Sequence, residues 1–203
     1  DGSGGLGEAA TFIQHEGSSI GPRQSEAHAH CFKIADDGRF AFSADLGMDR
    51  VMIYALDAAS GTLTPGEQAF ARVAPGEGPR HFTIAPNNSQ AYVINEIGNT
   101  VTAFDYDAER GLLLERDTIT TIPEGYDGTT HTADLCLTPD GRFLYGSNRG
   151  HDSIAMYRVD GGSGGLTPIG IELCGEPSPQ NLTMSADGKL LFVALSTTGK
   201  ILA

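Results

Sequence analysis

Basic side chains are scarce in this sequence: 13 Lys and Arg stand against 26 Asp and Glu, a formal charge of −13. Nucleic acid and anionic membrane surfaces both reward a basic patch, so this balance argues against either partner. An anionic substrate would have to be met by local Arg or His, because the global field repels it. Cysteine is also sparse. Cys31, Cys136 and Cys174 form no CxxC pair and no even framework, which argues against a disulfide scaffold. Free buried thiols suit a reducing compartment, so the expected location is cytoplasmic. No apolar run approaches the roughly 18 residues that a membrane helix needs. No stretch of useful length carries the period of a helix.

What the sequence does have is one phrase said four times. It reads HCFKIADDGRFAFSADLG from His30, RHFTIAPNNSQAYVINEIG from Arg80, ADLCLTPDGRFLYGSNRG from Ala133 and QNLTMSADGKLLFVALST from Gln180. The starts are 50, 53 and 47 residues apart. Several short strands per unit at a period near 50 predict an all-β fold of the β-propeller type. In the first unit the strands are expected at His30 to Ala35, Arg39 to Ala44, Val51 to Leu56 and Gln68 to Val73. Asp37-Gly38 and its equivalents, Asn87-Asn88, Asp140-Gly141 and Asp187-Gly188, supply the first turn. The Gly-rich stretches DGSGG (from Asp1) and DGGSGG (from Asp160) are expected as loops. They lack the strand-to-helix setting of a phosphate-binding loop.

These repeats divide the chain at 28–77, 78–130, 131–177 and an incomplete unit at 178–203. Residues 1–27 are expected to hold the last strand of a preceding blade and a connector, since Gly5-Leu6 matches the Gly-Leu steps that precede fourth strands. The chain is therefore read as about four blades of a larger ring. A closed four-bladed ring is the alternative.

In a propeller the first strand of each blade lines the axis. The opening column of those strands reads His30, Arg80, Ala133 and Gln180. A second column, just past Asn95 and its equivalents, reads Leu46, Glu96, Arg149 and Ser196. Charge appears in both columns where the repeat itself needs none. His30, Arg80 and Glu96 form the candidate catalytic set: a titratable base, a fixed cation and a carboxylate. A salt bridge that merely fills the channel is the plainer reading of Arg80 and Glu96. His28, Asn95, Asp134, Arg149 and Gln180 are the candidate substrate contacts. Of these, Asp134 lies beside the Ala133 start, and Arg149 is the equivalent of Glu96 one blade on. His28 and His30 share a strand face, but no third ligand accompanies them, so no metal is expected. No cofactor is implied.

The segments EAHAHCF, ADLGMDRVMIY, GPRHFTIAPN, YVINE, ADLCLTPDGRFLYGSNRGHDSIAMY and PSPQNLTMSADGKLLFVA resemble, in this order, the seven-bladed lactonase family. That family includes the bacterial propeller-type 6-phosphogluconolactonases, with the fungal carboxy-muconate lactonising enzyme as a relative. The resemblance implies seven blades, a small sugar-lactone substrate and hydrolysis within carbohydrate metabolism. It places the family's proposed site residues on His30, Arg80 and Glu96. A further family Arg aligns with Gln180, where this sequence departs. A non-catalytic binding propeller and a lactonising cycloisomerase are the alternative functions.

Overall fold

The computed structural model describes residues 4–203; the first three residues of the Asp1–Gly5 stretch lie outside them. The described residues form strands and no helix. Strands β1 (Ala29–Ile34), β2 (Phe40–Asp45), β3 (Arg50–Asp57) and β4 (Thr62–Arg72) pair antiparallel in that order. The second sheet repeats this with β5 (Pro79–Ile84), β6 (Gln90–Asn95), β7 (Thr100–Asp107) and β8 (Leu112–Thr120). The third holds β9 (His131–Leu137), β10 (Phe143–Arg149), β11 (Ser153–Val159) and β12 (Leu166–Leu173). The fourth has three strands, β13 (Pro179–Met184), β14 (Leu191–Leu195) and β15 (Lys200–Leu202). First strands pack beside first strands, β1 on β5, β5 on β9 and β9 on β13, which is how blades gather about an axis.

The first turn of each sheet rests on one piece of local chemistry. The side-chain oxygen of Asp37, Asn87, Asp140 or Asp187 accepts the backbone N–H two residues on, at 3.0, 3.1, 3.0 and 3.2 Å. The residue between them is left-handed. It is glycine at Gly38 (φ 71°), Gly141 and Gly188, and asparagine at Asn88 (φ 53°), the side chain that tolerates this region best.

The core lies between blades, and strand alternation builds it. On β6, Ala91 and Val93 face the first blade, while Tyr92 and Ile94 face the third. Every residue of β6 is buried, because both faces of a middle blade are covered. Phe42 stacks on Phe82 at 5.0 Å and meets the edge of Tyr106 at 5.5 Å, locking the first blade to the second.

Each first strand also carries a bulge near its start. Ala29 pairs with Asp45 and Cys31 with Ala44, so His30 stands unopposed. Arg80 is the unopposed residue between Pro79 and His81, and Gln180 between Pro179 and Asn181. In β9 the shift falls between Thr132 and Leu135, leaving Ala133 and Asp134 opposite Ser147. The opening column of the repeat is therefore a column of bulges, and a bulge re-aims a side chain.

Two expectations need correction. Residues 4–28 form no strand. Side chains hold the segment instead: beside the start of β4, Thr11 Oγ1 donates to Gly61 O at 3.0 Å and accepts from Leu63 N–H at 3.1 Å. His15 bridges Asp45 (2.6 Å) and Tyr54 (2.7 Å), and Gln24 donates to Leu46 O and Asp49. The first blade's fourth strand also starts earlier than Gln68, at Thr62; Pro65 pairs with Tyr54, and residues 66–69 are taken up in a register shift before Phe70 pairs with Met52. Phe42→Ala should lower the stability of this chain by about 3–5 kcal/mol, the usual loss for a fully buried aromatic. The check is a lower denaturant midpoint at unchanged slope.

Candidate active site

Glu96 is the centre of the axial cluster. It follows β6 directly, and its backbone N–H donates to Gly78 O at 2.7 Å, which fixes where the side chain starts. The residue is 4% exposed. Three guanidiniums converge on its carboxylate. Arg80 Nε reaches Oε2 at 2.7 Å, Arg149 Nη2 reaches Oε2 at 3.0 Å, and Arg23 Nη2 reaches Oε1 at 2.6 Å. His30 Nε2 lies 4.0 Å from Oε2. The bulge at Arg80 lets that side chain point along the axis, and its Nη1 also donates to Ala133 O on the next blade.

The electrostatics follow from this packing. Burial works to raise the Glu96 pKa. The hydrogen bond from Arg23 and the charges of Arg149, Arg23 and Arg80 outweigh it, so the carboxyl titrates below its ordinary value. Burial, then the charge of Arg80, holds His30 below the usual histidine value, which keeps it neutral near pH 7. Three guanidiniums against one carboxylate leave the cluster cationic.

Of the sequence-predicted catalytic residues, His30, Arg80 and Glu96 meet in one place. His30 and His28 line a cavity of about 420 Å³ together with Arg23, Pro22, Ser25 and Leu46. Arg149 belongs to the cluster through Glu96. It also donates to Thr132 O at 2.7 Å and contacts Gln180 Oε1 at 3.4 Å, and its Nε is buried without a partner. Gln180 thus holds a cation rather than facing a ligand alone. Asp134 accepts from His81 Nδ1 at 2.5 Å. Asn95 is the exception. Its side chain is fully buried inside the second blade, where Nδ2 donates to Thr100 and Thr102 Oγ1 at 2.8 and 2.9 Å, so it is not a substrate contact. Among the described residues, no group of three or more His, Cys, Asp or Glu is arranged to hold a metal ion.

Two members escaped the sequence reading, Arg23 and His81. A signal existed for the first: Gly21-Pro22-Arg23 repeats the tripeptide Gly78-Pro79-Arg80. His81 follows Arg80 directly, and regular alternation would turn it away. The bulge brings its Nε2 to 3.1 Å from Arg80 Nη1.

Known proteins place this arrangement in context. The model of the family described as lactonase, 7-bladed beta-propeller, matches residues 1–203. The 6-phosphogluconolactonase of Bacillus subtilis is 35% identical over 164 residues, which are 80% of this chain and 46% of that protein. The crystal structure of a Lactobacillus plantarum protein superposes with a TM-score of 0.86 at 27% identity, covering 94% of this chain and 58% of that one. The periplasmic gluconolactonase of Pseudomonas aeruginosa gives 0.83 at 28% identity, covering 92% and 56%. The chain spans about half the length of the curated relatives it matches. With the family match running over residues 1–203 and the sheets following one another as antiparallel blades, the chain belongs to the seven-bladed β-propeller lactonase family.

Proposed function

We propose that these blades, with limits at 28–77, 78–130, 131–177 and 178–203, belong to a seven-bladed ring whose complete protein hydrolyses a sugar lactone. The proposed substrate is 6-phosphogluconolactone or a close relative, as the name of the Bacillus subtilis relative suggests. The observation that carries this reading is the convergence of Arg80, Arg149 and Arg23 on buried Glu96, beside a neutral His30.

The chemistry divides among these groups. His30 takes a proton from water as the oxygen adds to the lactone carbonyl. The carbonyl oxygen becomes an oxyanion. The Nη2 edge of Arg80, which donates to no acceptor among the described residues, is the group to meet it. Collapse of the adduct breaks the bond to the ring oxygen, and the His30 imidazolium returns the proton to that oxygen. The product is the open hydroxy acid. Glu96 is not the base, because its oxygens already accept from three guanidiniums that lower its basicity. Its part is to hold the cations in place. Arg149 and Arg23 are suited to an anionic group on the substrate. They supply the positive charge that the family resemblance would have placed at Gln180. The proposed location is cytoplasmic, on the strength of three unpaired thiols, although the Pseudomonas aeruginosa neighbour is described as periplasmic.

In the full-length protein, lactone-dependent acid release at fixed pH should exceed the spontaneous rate. His30→Ala should lower it by roughly 10²–10⁴ and Arg80→Ala by roughly 10²–10³, the usual worth of a general base and of an oxyanion donor. A protein with no rate above background would rule out the hydrolase reading.

The pH dependence has a definite sign. Burial and Arg80 disfavour the imidazolium form of His30, so the neutral base survives to lower pH than in a free histidine. Activity should be lost as pH falls, and the acid limb of kcat/KM should have its midpoint below 6.5, the ordinary histidine value. A limb centred above 6.5 in the background-corrected profile would remove His30 from the base role.

A further inference from the structure

Beside the cluster runs a second line of polar groups that the hydrolysis scheme does not use. It begins on the fourth blade. Asn181 Nδ2 and Leu182 N–H donate to Asp134 Oδ2 at 2.6 and 2.9 Å. The other oxygen, Oδ1, accepts from Leu135 N–H at 2.9 Å and faces His81 Nδ1 at 2.5 Å. Asp134 is 5% exposed, and three fixed donors meet its oxygens, two on Oδ2 and one on Oδ1. A carboxylate so surrounded can only accept, so the His81 Nδ1 that faces it carries the proton. On the far side of the ring, His81 Nε2 lies 3.1 Å from Arg80 Nη1. A guanidinium can only donate, so Nε2 must present its lone pair. Both neighbours therefore select the same tautomer of His81. The edge of the His30 ring approaches the same imidazole, with centroids 5.7 Å apart.

We propose that His81 and Asp134 are positioning residues for Arg80: Asp134 fixes the Nδ1–H form of the imidazole, whose bare Nε2 holds one edge of the guanidinium and leaves Nη2 as its one nitrogen with no acceptor among the described residues. This rests on the lactonase reading above. His81 touches neither water nor lactone in that scheme and acts only through Arg80. The line also explains the residue types. Asn181 places a donor where a carboxylate needs one. An amide at 134 would fail whichever way it turned. Its NH₂ would face either the Asn181 and Leu182 donors or His81 and Leu135. In the second case the imidazole must move its proton to Nε2, against a donor of Arg80.

Three measurements on the full-length protein test this. In the wild type, ¹⁵N chemical shifts of the His81 imidazole should report the Nδ1–H tautomer, with Asp134→Asn moving the proton to Nε2. His81→Ala should lower kcat by roughly 10–100-fold, the usual loss for a group that orients another. KM should change little, because the oxyanion contact forms only in the transition state. His81→Gln, which can offer a carbonyl oxygen to Arg80, should recover most of the rate. Adding His81→Ala to Arg80→Ala should cost nothing further, since the residue acts through a group already gone. An Nε2–H tautomer in the wild type overturns the proposal. So does a His81→Ala loss that persists in full in the Arg80→Ala background, or a His81→Gln variant as slow as His81→Ala at equal thermal midpoint. If the wild type opens no lactone, the hydrolase reading fails and the tautomer measurement still decides the geometry.

Discussion

The axial end of this structure depends on one buried carboxylate. Glu96 is 4% exposed, and an ionised group so placed persists only when its charge is answered. Here the answer comes from three parts of the chain. Arg80 belongs to the same blade, Arg149 to the next, and Arg23 to the connector ahead of the first. Removing a buried partner of this kind typically costs about 3–5 kcal/mol, because an uncompensated charge is left behind. The cluster therefore does more than fill a channel. It ties the register of two blades and the path of the connector to one point. Any shift of one blade against the other would separate Arg149 from Glu96. Site geometry and blade packing are thus the same constraint seen from two sides.

The bulges make that convergence possible. A regular strand sends alternate side chains to opposite faces, so a first strand would offer each blade interface every second residue and the axis none in particular. One extra residue breaks the alternation at the axial end only. His30, Arg80 and Gln180 are those extra residues, and beyond them the pairing of each first strand with its second is regular. The energetic division is clean. Apolar burial between blades holds the sheets together, and the bulged ends are free to carry polar groups.

This division also sets what could be read from the sequence. The blades were legible because turn chemistry is local: an Asp or Asn followed by a left-handed Gly or Asn recurs in each unit whatever the blade packs against. The two axial columns were legible because equivalent positions in equivalent blades occupy equivalent places, so Glu96 and Arg149 had to be neighbours. Arg23 lies on a connector, where no repeat assigns a direction to a side chain. His81 was hidden by the bulge, since period-two reasoning turns the residue after Arg80 away from it. Asn95 was misread for the opposite reason. It sits on regular strand, and its side chain satisfies Thr100 and Thr102 across its own hairpin rather than reaching the axis.

The acidic charge of the whole chain looks at odds with a cationic cluster at the axis until range is considered. The acidic excess includes the first turns of the sheets, where Asp37, Asp140 and Asp187 are exposed. Hydrogen bonds from their own turns lower their pKa values and keep them ionised. Exposed charges lose their reach within about 8–10 Å at physiological salt. The guanidiniums of Arg80 and Arg149 sit deeper, where screening is weaker and each interaction is stronger. An anionic ligand therefore meets weak repulsion far out and strong attraction close in. Far from the cluster the net charge of −13 is screened, and close to it the buried guanidiniums set the local field.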